Sequence, residues 1–282
     1  MLKKIRNRYI IELTFSHLRN KKKLNIIKYN NELLSRLNIT KEDFKSYIYL
    51  KEFNEKYNLN IEDIDITELN LSYHHFANEE LEYLFKIKFN KLRTLDIRYN
   101  QIKDISLLKK LKLKNVNFQN LQVLNLGNNE ISDINILKEM NFKYLRKLYL
   151  DHNDITDISI LNSVNFENLE SLDISENNIT DIKVLEKVSF KNLKELNLTD
   201  NRILNIEILE NVDFRDLRVL KIYDIEKPDI SYLEKFKFEK LEVLDLGLNG
   251  IEDITILEKV NFKKLKDLNL DTNLISDLDL KQ

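Results

Sequence analysis

The four histidines are the side chains best suited to metal binding or proton transfer: His17, His74, His75 and His152. His74 and His75 are adjacent, and neighbouring residues of an extended chain point to opposite faces, so this pair does not readily share a metal ion. His152 comes one residue before Asn153 in a predicted turn, where a surface contact is the simpler interpretation. No metal site is therefore predicted.

Sequence patterns of nucleophilic, zinc-dependent or nucleotide-dependent catalysis do not occur in the chain. Cysteine is absent, which excludes a thiol nucleophile and thiolate zinc sites. Of the three glycines, the one close pair is Gly247 and Gly250, and its spacing does not match a phosphate-binding fingerprint. The spacing of serine, histidine and aspartate assembles no catalytic triad. The sequence predicts a protein that is not an enzyme and needs no cofactor.

The balance of positive and negative charges limits which classes of binding partner are expected. The chain has 282 residues, with 45 Lys and Arg against 47 Asp and Glu, which gives a formal net charge of -2. This balance argues against a dedicated nucleic-acid binder. No apolar run approaches the roughly 20 residues of a membrane span, so no membrane contact is expected. The N-terminal residues do not have the pattern of a secretory signal, and a basic transit peptide is the alternative interpretation. The absence of cysteine favours a cytoplasmic protein.

A repeat of 24 residues is the strongest pattern in the sequence. Phenylalanine marks it at Phe89, Phe118, Phe142, Phe166, Phe190, Phe214, Phe238 and Phe262, where the first interval is 29 residues and the next six are 24. A fixed period of this size indicates stacked supersecondary units. Each unit then buries its apolar side chains only against its neighbours, in one continuous core.

The unit that begins at Phe166 shows how one repeat is expected to fold. Leu172 and Ile174 alternate with polar residues, which predicts a short strand with one buried face. Asn177 follows where the chain must turn, and its amide can satisfy backbone groups that a tight turn leaves inside the core. Asp181 is placed to cap a short helix. Stacked units therefore predict a parallel sheet with a ladder of asparagine amides beside it.

The pattern L-x-x-L-x-L-x-x-N recurs in seven complete copies, one of which comprises Leu169, Leu172, Ile174 and Asn177. Over residues 66–282 the chain resembles the leucine-rich repeat family, and its D-I-x-x-L endings resemble the short repeats of internalins and of phosphatase-regulating intracellular proteins. The resemblance implies an α/β fold, a right-handed solenoid with a parallel concave β-sheet, and non-catalytic protein binding on the concave face. We predict two domains, a helical N-terminal region at 1–60 and the solenoid at 61–282.

The first 60 residues lack the repeat and are predicted to form helices at about 2–18, 22–29, 31–37 and 40–57. Thr40 and Asp43 have the spacing of a capping box at the start of the last helix. One interpretation of this region is a helical cap over the first repeat. The alternative is that residues 9–37 resemble an F-box, although its usual proline and tryptophan are missing. That resemblance implies a Skp-type adaptor as partner and a role as substrate adaptor of a cullin ubiquitin ligase. The F-box-like positions are Ile11, Phe15, Ser16, Leu18, Leu24, Ile27 and Asn30.

Irregular units interrupt the array. In the first unit His74 takes the place of the ladder asparagine, and a helix is predicted at 78–87. The unit at 89–118 contains five extra residues. The largest departure lies at 217–236, where Ile225 replaces the ladder asparagine and Lys227 replaces a buried isoleucine. Either this repeat has drifted, or its loop shapes a binding site.

The outward residues of the predicted strands form the candidate binding surface, because exposed tyrosine and arginine are favoured anchors in protein interfaces. One candidate cluster consists of Arg98, Tyr99, Tyr149 and His152. The other consists of Val219, Lys221, Tyr223, Val243 and Leu248, next to the irregular repeat. The second is the stronger candidate because apolar residues on a solvated sheet face need a reason. Ordinary surface variation is the alternative for both clusters.

Overall fold

The structure is a computed structural model that describes residues 32, 35, 37, 39–108, 120–140, 142–227 and 229–275. Several sequence predictions fall outside these residues. They are the helices at 2–18 and 22–29, most of the helix at 31–37 and of the F-box-like segment, the five extra residues near 109–119, Phe118, Pro228 and the end of the last repeat.

A single parallel sheet organises the described part of the chain, and its strands follow one another in sequence order. Its nine strands are β1 (Glu68–Asn70), β2 (Thr94–Asp96), β3 (Val123–Asn125), β4 (Lys147–Tyr149), β5 (Ser171–Asp173), β6 (Glu195–Asn197), β7 (Val219–Lys221), β8 (Val243–Asp245) and β9 (Asp267–Asn269). Each strand has a central leucine that faces the core, and equivalent residues pair in register, as Leu148 does with Leu172. The predicted strands and their two faces are confirmed.

Short helices connect the strands on the opposite side of the repeats. The six 3-10 helices in the described ranges are Asn135–Glu139, Ser159–Ser163, Lys183–Glu186, Ile206–Glu210, Ser231–Lys235 and Thr255–Glu258. The carboxylate of Asp181 accepts the backbone N–H of Lys183 at 2.7 Å, and Asp133, Asp157, Asp229 and Asp253 make the same contact in their repeats. An aspartate therefore holds the first turn of five of these six short helices, as predicted for Asp181, whereas Ile206–Glu210 has Asn205 at that position.

Helix α1 (Lys41–Tyr57) covers the first repeat. Its predicted capping box is present, since the Thr40 hydroxyl accepts the N–H of Asp43 at 3.1 Å and the Asp43 carboxylate accepts the N–H of Thr40 at 2.9 Å. Leu50 and Phe53 of α1 are fully buried, and the Phe53 ring lies 5.9 Å from the ring of Phe76. The described part of α1 is therefore a cap, and the core runs without interruption across residue 60. The division into domains at 60 stays a prediction.

Helix α2 (Asn78–Leu84) ends three residues earlier than the predicted end at 87. The backbone changes there to tight turns, in which Lys86 donates to Tyr83 and Ile87 donates to Leu84. Ile87 is nevertheless buried, so the turns keep an apolar side chain in the core that a longer helix would also have placed there.

The repeated phenylalanines pack as a file inside the solenoid. Ring centroids are 6.1 Å apart for Phe142 and Phe166, 6.2 Å for Phe166 and Phe190, and 6.3 Å for Phe190 and Phe214. Phe89 and Phe238 are also buried, whereas Phe262 in the last described repeat is half-buried. The aromatic file is thus seen directly across four consecutive repeats.

The predicted asparagine ladder lies next to the strands. The Asn177 amide donates to the carbonyls of Leu150, Ile174 and Ser175, and its oxygen accepts the N–H of Ile155 at 2.9 Å. Equivalent contacts are made by Asn100, Asn129, Asn153, Asn201, Asn249 and Asn273. Because each amide reaches a carbonyl of the preceding repeat, the ladder joins neighbouring repeats as well as closing its own turn.

A row of charges runs along the edge where strands β4 to β9 begin, at the residue just before each of them. Glu170 binds Arg146 on one side and Lys194 on the other, and Glu242 lies in the same way between Arg218 and Lys266. Hydrogen bonds and charge from Lys194 and then Arg146 lower the pKa of Glu170. These carboxylates are therefore neutralised within the fold.

We expect Glu170→Gln to lower the free energy of unfolding by about 0.5–1 kcal/mol at pH 7, the usual range for accessible ion pairs. A carboxylate whose folded pKa is lowered stabilises the fold above its unfolded pKa, and this contribution is lost as the pH falls through the folded pKa. The difference between variant and wild type in urea unfolding should therefore shrink as the pH falls below the unfolded pKa of glutamate and through the lowered folded pKa of Glu170. Glu167→Gln is the control, because only the backbone carbonyl of Glu167 is engaged, by Asn192. An equal loss in both variants would contradict the assignment.

Candidate functional site on the concave face

The concave face comprises four positions of each repeat: the first and third strand residues, the residue two beyond the strand, and the turn residue that follows it. Strand residues on this face are mostly half-buried or exposed, as Glu68, Lys147, Glu195, Lys221 and Asp267 illustrate. The face is therefore an accessible, hydrogen-bonded platform rather than a buried layer.

The structure brings together the candidate cluster next to the irregular repeat. Val219 pairs with Val243, and Lys221 pairs with Asp245, across β7 and β8. The Tyr223 ring lies over Gly247 and occupies the space that a side chain would need there. A Cβ atom at Gly247 would be only 2.5 Å from Cδ2 of Tyr223. Leu248 follows in the adjacent turn and is half-buried. The five residues share one patch of the face, with the tyrosine held in a space that the glycine leaves open.

The other candidate cluster is divided by the strand order. Arg98 and Tyr99 belong to the repeat of β2, where the Arg98 guanidinium lies 5.9 Å from the Tyr99 ring and 3.3 Å from the carboxylate of Asp96. Tyr149 and His152 belong to the repeat of β4, and the whole β3 repeat lies between the two pairs. His152 contacts Glu176, with 2.6 Å between Nδ1 and the carboxylate. The cluster is thus two separate patches.

Tyr73 is an exposed aromatic residue that the sequence analysis missed. Its ring stacks on Tyr99 with centroids 4.2 Å apart and planes inclined by 12°, and Tyr73 is 64% exposed. The signal was present in the alignment of repeats, because Tyr73 precedes His74 as Tyr99 precedes Asn100. The irregular first repeat concealed this correspondence.

The turn residues share an unusual backbone conformation. All of them have φ between 50° and 60°, in the left-handed region: Tyr73, Tyr99, Asn128, His152, Glu176, Asp200, Asp224, Leu248 and Thr272. The two repeats without a ladder asparagine carry a second left-handed residue, His75 after His74 and Glu226 after Ile225. Without the amide to hold the inner side of the turn, the chain closes it through this additional backbone change.

The irregular repeat keeps an apolar side chain in its core. Ile225 is only 2% exposed, so an isoleucine is buried at the ladder position. Lys227 takes the position that the buried Ile203 and Ile251 fill in neighbouring repeats and is half-buried, so the core isoleucine expected to be lost there is absent. The Oδ1 atom of Asn249 accepts the N–H of Ile225 at 2.9 Å, whereas the Ile225 side chain has no oxygen to accept the N–H of Ile203. Lys227 extends to the carbonyl of Leu204 at 2.9 Å. The ladder is interrupted here, while the packing continues.

Two carboxylates on the concave face are electrostatically unfavourable where they lie. Burial, followed by the charge of Asp173, raises the pKa of Asp151. Burial, followed by the charges of Asp200 and Glu226, raises the pKa of Asp224. Nearby, an open depression of about 320 Å³ is lined by polar residues that include Glu130, Glu176 and Asp200. Acidic side chains therefore crowd this edge of the sheet.

The described residues include no group of three or more His, Asp or Glu side chains that could hold a metal ion. Within the same part of the chain, no helix has the length and apolar character needed to cross a bilayer. The features that remain on the concave face are aromatic, aliphatic and charged side chains on a regular sheet. Such a surface is chemically suited to contact with another molecule.

Comparison with known families identifies the class of protein. A family model of leucine-rich repeats, in two copies, matches residues 90–139, 119–163, 143–187 and 167–218, and a single leucine-rich repeat model matches 239–254. The chain belongs to the leucine-rich repeat family, whose arrays present extended concave surfaces for binding. The interval between the matched segments, 219–238, contains most of the irregular repeat.

Solved structures give the same fold. An internalin, InlF from Listeria monocytogenes, is 25% identical with a TM-score of 0.53, and the match covers 82% of this chain and 77% of that one. Internalin C2 of the same organism is 24% identical with a TM-score of 0.53, covering 78% and 91%. The ectodomain of the Arabidopsis thaliana receptor kinase HAESA is 22% identical with a TM-score of 0.54, covering 73% and 34%. No curated protein sequence matches significantly.

Proposed function

We propose that this protein is a non-catalytic scaffold that binds a protein partner through its concave face. The observation that carries the proposal is the patch around Tyr223, where Val219 and Val243 are half-buried on the open face of the sheet. Apolar and aromatic residues gathered on a solvated sheet face favour an interface, and a rigid array loses little entropy on binding.

The patch has the composition of an interface centre. Tyr223 and Leu248 supply apolar area, and Lys221 supplies an exposed charge opposite Asp245. Energetically dominant interface residues are often aromatic side chains surrounded by less important contacts. The position of Tyr223 over Gly247 limits the motion of its ring, which reduces the cost of ordering it in a complex.

We expect the double variant Lys221→Ala, Tyr223→Ala to abolish capture of the partner. The measurement is affinity purification from the native cells with mass spectrometry, after crosslinking that maps the contact to the chain. The change in unfolding free energy should stay within about 1 kcal/mol, as for most accessible positions.

The matched control is Lys143→Ala, Tyr144→Ala. It removes the same two residue types, which form an exposed cation–π pair away from the concave face with 5.7 Å between ammonium and ring. Equal capture by wild type and by both variants would refute the choice of surface. A loss of capture in the control alone would move the interface away from the sheet.

The F-box-like segment supports no second proposal, since nearly all of it lies outside the described residues. The Skp-type adaptor stays a prediction, and failure of the full chain to recover that adaptor in a pull-down would end it. We also propose a cytoplasmic location, which the absence of cysteine supports. Cell fractionation tests it.

A further inference from the structure

Acidic charge is concentrated on the concave face. In the described repeats, the concave face carries eleven carboxylates and three cations, although the whole chain has a net charge of -2. The carboxylates are Glu68, Asp96, Asp151, Asp173, Glu176, Glu195, Asp200, Asp224, Asp245, Asp267 and Asp271, and the cations are Arg98, Lys147 and Lys221. The other described positions carry 27 Lys and Arg against 33 Asp and Glu, which is much closer to balance than the concave face.

Most carboxylates of the concave face form no ion pair with another described residue. Among the described residues, the ion pairs on this face are Arg98 with Asp96 and His152 with Glu176. Neutral amides orient other acids, since Asn197 donates to Asp173 at 3.0 Å and Asn269 donates to Asp245 at 2.9 Å. Glu170 and Glu242, outside the face, each bind two cations instead.

Acidic side chains also occupy equivalent positions in consecutive repeats. Glu176, Asp200 and Asp224 are successive turn residues, separated by the strand spacing of about 4.8 Å. Like charges at this spacing repel one another. The repulsion would be relieved by a partner that brings positive charge to the face.

The exposed aromatic rings favour the same kind of partner independently of the acids. Tyr73 and Tyr99 form a stacked pair in the same row of turn residues, and Tyr149 and Tyr223 lie on the face itself. The faces of such rings attract Lys and Arg side chains. Nucleic acid has the wrong sign of charge for this surface.

We propose that the concave face docks an extended, Lys- and Arg-rich protein segment, an inference that rests on the proposed function. Nine described strands at about 4.8 Å spacing give a face about 38 Å long, which an extended segment of about 12 residues spans at ~3.3 Å per residue. The segment alternates basic side chains, directed to the acids and rings, with side chains that face solvent.

The probe is a 12-residue peptide of alternating Arg and Ser, compared with Gln–Ser and Glu–Ser peptides of the same length, titrated into the full chain. We expect the Arg–Ser peptide to bind more tightly than the other two. Its affinity should fall at least tenfold when the NaCl concentration rises from about 0.05 to 0.5 M. The variant Glu176→Gln, Asp200→Asn, Asp224→Asn should weaken binding at least tenfold.

The matched control is Glu234→Gln, Glu239→Gln, Glu258→Gln, which changes the net charge equally at exposed positions off the concave face. It should leave the affinity within twofold of wild type. The concave variant should melt no lower than wild type because it removes repulsion. If it does melt lower, the single variant Asp200→Asn replaces it in the test, and we expect this variant to lower the affinity for the Arg–Ser peptide at least threefold.

The inference is overturned if the Arg–Ser peptide does not bind wild type, if the Gln–Ser peptide binds equally, or if both triple variants weaken binding alike. These outcomes are distinct from failure of the proposed function. A partner crosslinked to the patch around Tyr223, together with absence of Arg–Ser binding, refutes only the basic chemistry of the segment. Absence of any partner contact on the face refutes the scaffold proposal as well.

Discussion

Phe190→Ala is expected to lower the free energy of unfolding by about 3–5 kcal/mol, the range for removing a buried phenylalanine from a packed core. Phe190 is 3% exposed, and its ring lies between those of Phe166 and Phe214 at 6.2 and 6.3 Å. Neighbouring repeats share these rings, so the cavity weakens the contacts on both of its sides. Urea unfolding followed by circular dichroism measures the change.

Tyr144→Ala is the control for this aromatic deletion. Tyr144 is 48% exposed and lies two residues after Phe142, outside the aromatic file. Its loss should cost less than about 1 kcal/mol. A Phe190→Ala variant as stable as the control would mean that the rings do not form the shared core described above.

Asn177→Ala is expected to cost about 3 kcal/mol, because it removes three donated hydrogen bonds and leaves the buried N–H of Ile155 without its acceptor. The carbonyls of Leu150 and Ile174 keep a second donor from Asn153 and Asn201, so the unpaired N–H is the largest single contribution. Amide hydrogen exchange should show faster exchange at Ile155 as well as lower global stability.

Asn178→Ala separates the ladder contacts from a general effect of losing an amide. Asn178 is half-buried, and its backbone N–H donates to Ile155 whatever its side chain is. We expect a change within about 0.5 kcal/mol. The ladder assignment fails if Asn178→Ala is as destabilising as Asn177→Ala.

Much of the fold could be predicted because the same residue types recur at the same positions of each repeat. The alternation of apolar and polar residues around Leu172 predicts the buried face of the strand. The side-chain amide of Asn177 forms hydrogen bonds with buried backbone groups of the turn. The start of α1 was equally predictable, since a capping box depends on two residues three apart, Thr40 and Asp43.

The irregular repeat could be located but not resolved from the sequence. The pattern shows that Ile225 lacks an amide, but the burial of that isoleucine and the acceptance of its N–H by Asn249 depend on the three-dimensional turn. The second left-handed residue at Glu226 has no compositional signal, because glutamate is not typical of that conformation.

Only part of the candidate site could be located from the sequence, for a related reason. The residues around Tyr223 lie in aligned columns of β7 and β8, which the 24-residue period places side by side. The Tyr73–Tyr99 stack requires alignment of a repeat that departs from the pattern. The row formed by Glu176, Asp200 and Asp224 lies at the turn, and comparison of strand positions alone does not reveal it.

The substitution of Ile225 for a ladder asparagine also has a consequence for cooperativity. In a one-dimensional array, communication between distant units passes only through nearest-neighbour interfaces. Asn100 to Asn201 link the earlier units, Asn249 and Asn273 link the later ones, and the junction between β6 and β7 lacks the bond from Ile203 that every regular junction has. The β6–β7 junction therefore lacks the buried amide link of the others, and we expect local opening of the array to begin there more readily than at a regular junction.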